Sequence, residues 1–144
     1  MLPPLLYGAA FLVVLALRRV WPLAIPAQRT ALWLGMVLLV VSGGVALWGH
    51  RTMHAAGTNV NPLLPAIAVV TGGPFRFSRN PLYLALAMLF LGLSLAIGTW
   101  WGVVVAAPVL LVMHYGVILR EERYLERKFG ESYRRYRSRV RRYL

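Results

Sequence analysis

Residues 71–83 read TGGPFRFSRNPLY: two glycines, two prolines, two arginines, an asparagine and a tyrosine. They stand at the head of a run of 40 residues, 80–119, in which only His114 ionises near neutral pH. A helix needs roughly 20 apolar residues to cross a hydrocarbon core of about 30 Å, so the run is long enough for two crossings. The turn signal IGTW at 97–100 divides it, which predicts spans near 82–97 and 100–119. Asn80 suits the N-cap and Pro81 the first helical position of the earlier span. Arg76 and Arg79 suit the membrane interface as anchors. Taken alone, the stretch is the entrance to a membrane hairpin.

Working outward, two more apolar runs precede it, 2–17, closed by Arg18 and Arg19, and 31–48. The expected fold is therefore all-α: a polytopic membrane protein of about four transmembrane helices with a C-terminal amphipathic basic helix. The composition agrees. Of 144 residues, 59% are hydrophobic and 14% charged, where a soluble domain carries about 25% charged residues. One domain over 1–144 is expected, with N-terminal spans in 1–51, a loop in 52–80, the hairpin in 81–119 and the basic tail in 120–144. The first run lacks a basic region ahead of it, so it reads as a retained span and not a cleaved signal. Between the second and third runs, Gly57, Pro62, Pro65, Gly72 and Gly73 forbid a continuous helix. One short helix is expected near 66–70. Irregular backbone at membrane depth is tolerated only where it is buried in protein or lines a cavity, so this loop lies at the surface or builds a site.

The charge is segregated. All four acids and ten of the sixteen basic residues follow Leu119. The positive-inside rule places such a tail in the cytoplasm. Four spans then put both termini and the 49–80 loop on that side, thirteen basic residues against Arg18, Arg19 and Arg29 on the other. A net charge of +12 beside apolar spans points to anionic lipid headgroups and not to nucleic acid. The absence of cysteine excludes a disulfide framework and thiolate chemistry, and three histidines without clustered carboxylates argue against a metal site. In the tail, Leu125, Phe129, Tyr133, Tyr136, Val140 and Tyr143 recur at helical steps. That stripe, interrupted at Gly130, predicts a basic amphipathic helix in the headgroup plane.

Two acids stand out. Helix-surface acids usually have a base three or four residues away. Arg123 serves Glu126, and Arg127 and Arg135 serve Glu131, but Glu121 and Glu122 have no cation at these offsets. Unpaired carboxylates at a bilayer imply a partner elsewhere. That partner is either Arg76 or Arg79 across the hairpin, or a ligand bearing hydroxyls or positive charge. His114 falls seven residues before Glu121, on roughly the same helix face. It reads either as a hydrogen-bonded structural histidine or as a proton acceptor.

The stretch at 71–83, a hairpin, and then REERYLERKFGESYRRYRSRV at 120–140 together resemble the integral-membrane methyltransferases, which include isoprenylcysteine carboxyl methyltransferases and phosphatidylethanolamine N-methyltransferases. AGTNVNP at 56–62 is similar to the small bacterial members, which implies a multi-pass protein of a bacterial inner membrane. The resemblance implies S-adenosylmethionine as methyl donor. Its R-H-P-x-Y motif falls on Arg79, Asn80, Pro81, Leu82 and Tyr83, with Asn80 matching the phospholipid branch. Its paired glutamates fall on Glu121 and Glu122. The resemblance implies cofactor contacts at Val69, Val70, Gly73, Phe75, Arg79, Asn80, Pro81, Tyr83, Glu121 and Glu122, and a catalytic role for Arg79. His114, about two helical turns from Glu121 towards the membrane interior, is expected to accept the acceptor's proton or orient the acceptor. A substrate-contacting arginine of the isoprenylcysteine enzymes falls on Val117, so a prenylcysteine acceptor is not implied.

The reading that follows is methyl transfer to a small or lipid-like acceptor at the cytoplasmic membrane face. The rival is a non-catalytic membrane subunit that binds anionic lipid or a partner through the basic tail.

Overall fold

The computed structural model describes residues 2–59 and 65–143, and all regular elements among them are helical. Helix α1 spans Pro3–Val20, α2 Gln28–Ala55, α3 Pro81–Ala96 and α4 Trp101–Val112. A wide π turn, Met113–Ile118, carries α4 into α5, Leu119–Phe129, and α6 spans Glu131–Arg139. Proline opens α1 and α3, where its missing N–H costs no bond. Among the described residues, three helices are long and apolar enough to cross a membrane: α1, α2 and the continuous Trp101–Phe129. The fourth expected span, α3, is apolar but has 16 residues. At 1.5 Å per residue it is about 24 Å long.

The loop differs from expectation. Helix α2 continues past residue 48 to Ala55. No helix forms at 66–70; one 3₁₀ turn forms instead at Gly73–Arg76. The reason lies in local side chains. Thr58 Oγ1 accepts from Ile67 N at 2.9 Å, and Asn59 Nδ2 donates to the Pro65 carbonyl at 2.8 Å. The second bond takes the Pro65 carbonyl, which a helix at 66–70 would need for its own first bond, and the first ties Ile67 back to Thr58. Asn61 and Pro62 of this loop lie outside the described residues.

Helices α2 and α3 pack most closely. A Cβ on Gly35 would sit 2.7 Å from both the Gly92 carbonyl oxygen and Ala96 N, so only glycine allows this approach. Ser42 adds a buried bond to the Ala85 carbonyl at 2.7 Å. Tyr7, Ala10 and Val14 of α1 meet Phe90 of α3 and Ala106 and Val109 of α4 in the core. At one end of the bundle, the α1–α2 link is tied to the α3–α4 turn. Trp101 Nε1 donates to Trp21 O at 2.7 Å, Trp100 N to Leu23 O at 2.9 Å and Ile25 N to Gly98 O at 3.0 Å. The start of α1, the end of α2, the start of α3 and α5 therefore gather at the other end.

Gly130 breaks the tail as expected, at φ +52°, a conformation that favours glycine. Tyr133 and Tyr136 are buried, and Tyr136 Oη donates to the Phe75 carbonyl at 2.7 Å. The tail thus docks on the protein by its tyrosines. The break also redistributes the ion pairs. Glu126 pairs with Arg137 at 2.9 Å, not with Arg123, and Glu131 pairs with Arg134 and Arg135 but not Arg127. After α6 the chain turns back, and Arg79 N donates to Arg141 O at 3.0 Å.

Candidate functional site

A cleft of about 800 Å³ opens at the charged end, within the ~300–1,000 Å³ typical of ligand pockets. Phe75, Arg79, Asn80, Pro81, Tyr83 and Glu121 all line it. The structure thus brings together the two motifs that the hairpin separates in sequence. Its apolar wall runs on along α2 and α3 through Ala46, Leu47, Leu86 and Leu89.

The two adjacent acids meet different fates. Glu121 faces the cleft, and Tyr83 Oη donates to its Oε2 at 2.5 Å. Its Oε1 has no donor among the described residues. Glu122 is buried behind the cleft at 6% exposure. There Arg142 grips it with both arms, Nε to Oε1 at 3.0 Å and Nη2 to Oε2 at 2.9 Å. Arg79 Nη1 also lies 3.1 Å from Oε1. Of the two arginines expected as partners, Arg79 is the one that pairs. Arg142 was not anticipated, because it lies 20 residues away and reaches Glu122 only through the fold-back of the tail.

Arg79 is the electrostatic peculiarity of the site. Its side chain is 9% exposed, yet Nε and Nη1 have no hydrogen-bond acceptor among the described residues. The 3.1 Å approach of Nη1 to Glu122 is a close charge contact without the alignment of a hydrogen bond. A buried guanidinium with unmade bonds is expensive, and here it borders a cavity. Burial raises the Tyr133 hydroxyl pKa, aided by the Glu122 charge, while the neighbouring Arg79 pulls it down. The hydrogen bond to Glu122 raises the Arg142 pKa, so that arginine stays charged.

Asn80 occupies the N-cap position of α3, as expected, but makes no capping bond. Its Nδ2 donates to Arg142 O at 3.0 Å instead. Ser78 Oγ donates to the same carbonyl at 3.2 Å. Gly73 lies outside the cleft lining, at φ +54° against α2, where a Cβ would meet the Thr52 hydroxyl and sit 3.1 Å from Trp48 Nε1. Val69 and Val70 are half-buried and also outside the lining, as is Glu122.

His114 lines a neighbouring cavity of about 390 Å³, with Tyr7, Leu110, Met113 and Tyr143. Tyr83 borders both cavities. His114 Nδ1 is hydrogen-bonded to Tyr143 Oη at 2.5 Å. The expectation that His114 shares a face with Glu121 needs correction. Seven residues of regular α-helix nearly complete two turns, but the π turn inserts about one extra residue and rotates the face by about 100°. Gly116 inside that turn and Pro108 one helical stretch before it are the sequence signals that hint at irregularity.

The fit to a methyl donor of the kind implied by the motifs can be judged from these atoms. S-adenosylmethionine carries a carboxylate, which suits the unsatisfied N–H groups of Arg79, and hydroxyl and amino donors, which suit the open oxygen of Glu121. The residues present fit the group.

An uncharacterized protein of Haemophilus influenzae is 44% identical over 66 residues, 44% of this chain and 100% of the relative. No solved structure matches the chain. The profile of the phospholipid methyltransferase family matches residues 30–132, from early in α2 to early in α6. The chain belongs to the phospholipid methyltransferase family.

Proposed function

We propose that this membrane methyltransferase takes its methyl group from S-adenosylmethionine and passes it to a small or lipid-like acceptor. The observation that carries the reading is the meeting, at one cleft wall, of the buried Arg79 guanidinium with the open Glu121 carboxylate oxygen. When bound, S-adenosylmethionine supplies a methyl group on a sulfonium, which an acceptor lone pair displaces in line as the thioether leaves. Arg79 holds the carboxylate end. Glu121 accepts from a ribose hydroxyl or the amino group, and Tyr83 fixes its orientation through Oη. The rings of Phe75 and Tyr83 pack the adenine or face the cation. Positioning and exclusion of water do most of the work in such a displacement.

The apolar wall gives the acceptor its route. Leu47 and Leu89 line the cleft and are exposed on helices that face the bilayer. A lipid-like acceptor enters sideways along them, while the water-soluble donor enters from the charged end. The positive-inside rule places that end in the cytoplasm, where the tail meets anionic lipids. An amine or thiol acceptor must also lose a proton. His114, across Tyr83 from the cleft, is the group proposed to receive it.

Incubation of the purified protein with methyl-labelled S-adenosylmethionine and total membrane lipid extract tests the reading. Label in one lipid or small hydrophobic product, lost in Arg79→Gln, is the expected result. No labelled product, together with no saturable binding of S-adenosylhomocysteine, would favour the non-catalytic subunit instead.

A further inference from the structure

The tail ends in a network that the methyl-transfer reading does not use. Arg142 offers its carbonyl to Ser78 Oγ and Asn80 Nδ2, on either side of Arg79, and its guanidinium to both oxygens of Glu122. Arg141 O accepts from Arg79 N itself. The last turn of chain is therefore stitched to the backbone that carries Arg79, to its side-chain partner, and, through Tyr143, to His114.

Arg142 and Arg79 compete for one carboxylate. Oε1 of Glu122 lies 3.0 Å from Arg142 Nε and 3.1 Å from Arg79 Nη1, but only Arg142 is aligned to bond it. A planar guanidinium matches a carboxylate two bonds at a time. With Arg142 seated, each Glu122 oxygen already accepts one bond along the fork, and Arg79 Nη1 approaches Oε1 off that line, in charge contact but without an aligned bond. We infer that Arg142 is a positioning residue: by filling the fork of Glu122 from the tail, it keeps Arg79 in a charge contact with that carboxylate and not in an aligned bond, so that the guanidinium serves as the anion-binding group of the cleft. This rests on the proposed donor site, whose carboxylate is the anion.

Removing the Arg142 charge should not merely loosen the tail. It should let Glu122 capture Arg79, and removing Glu122 as well should release Arg79 again. The test compares wild type, Arg142→Gln, Arg142→Lys and the double variant Glu122→Gln/Arg142→Gln in nanodiscs, with thermal unfolding followed in parallel. Calorimetry with S-adenosylhomocysteine should show about tenfold weaker binding in Arg142→Gln, the scale of one lost charged hydrogen bond. Arg142→Lys should show a smaller loss, since lysine keeps the charge but not the fork. The double variant should bind more tightly than Arg142→Gln. A double variant that binds no better, or an Arg142→Gln protein that binds like wild type, overturns the inference.

A ligand-free readout separates this from the donor reading. In nitrogen-labelled protein, the Arg79 guanidinium signals, assigned by their loss in Arg79→Lys, should exchange by rotation faster in wild type than in Arg142→Gln. They should split in Arg142→Gln, or partly in Arg142→Lys, as Glu122 pins the group. Unchanged Arg79 signals in both variants sink the proposal whatever the ligand does. If the signals split but wild type takes up no S-adenosylhomocysteine, the donor reading fails and the control of Arg79 by Arg142 stands.

Discussion

The two ends of the bundle are built on opposite rules. At the end holding the α3–α4 turn, polar groups close on one another: the Trp101 indole on Trp21 O, Trp100 N on Leu23 O and Ile25 N on Gly98 O. Thr99, 1% exposed, bonds Leu23 O at 3.3 Å. At the other end, among the described residues, a carboxylate oxygen of Glu121 on a cleft and two buried N–H groups of Arg79 in its wall have no hydrogen-bond partner. Buried polar groups are almost always satisfied in folded proteins. An end that satisfies them serves stability, and an end that leaves them open is prepared for something that will satisfy them. The difference also lies in reach. The closed end uses backbone carbonyls, while the open end recruits side chains from α3, α5 and the C-terminal tail.

Substitutions at each end should separate stability from binding, and the largest effect is expected at Glu122. Glu122→Gln leaves the buried Arg79 and the partly exposed Arg142 without their counter-charge, a loss on the scale of about 3 kcal/mol, the low end for breaking a buried pair. Denaturant unfolding in mixed micelles should show it, and a midpoint equal to wild type would mean that the cluster contributes no stability. Next comes His114→Gln. Binding of S-adenosylhomocysteine should be unchanged, because His114 lines the neighbouring cavity. Turnover of an amine or thiol acceptor should fall about 100-fold at pH 7, the low end for a general base. A normal rate across pH 6–8 would leave His114 as a structural partner of Tyr143. Glu121→Gln should then weaken S-adenosylhomocysteine binding by about 1.5–3 kcal/mol, the worth of a hydrogen bond to a charged group, with little change in unfolding. If unfolding shifts and affinity does not, Glu121 belongs with the structural cluster. The smallest effect belongs to the closed end: Trp101→Phe removes one hydrogen bond and should cost about 1 kcal/mol of stability. Any loss of affinity there would break the division between the two ends.

The fold was largely legible because bilayer thickness and turn residues constrain it from few letters. A span expected at 82–97 is the helix Pro81–Ala96. Asn80, Pro81 and the IGTW turn carry their own stop and start signals. The loop was less legible because Thr58 and Asn59 decide it by side-chain bonds across 6 to 10 residues, which periodicity does not register. In the site, the missing local cations of Glu121 and Glu122 pointed correctly to distant partners, and Arg79 was one of them. Arg142 was hidden because local pairing rules look three or four residues away, whereas the Gly130 break folds the tail back over 20. The π turn was hidden for a different reason. Its residues are as helical by propensity as their neighbours, and only Gly116 interrupts them.

The most direct test of the central claim is a structure of the protein with S-adenosylhomocysteine in nanodiscs. The account predicts the ligand in the cleft, its carboxylate within hydrogen-bond distance of the Arg79 guanidinium and its ribose or amino group against Glu121 Oε1. A ligand seated in the His114 cavity, or in the cleft with Arg79 still unbonded, would contradict it.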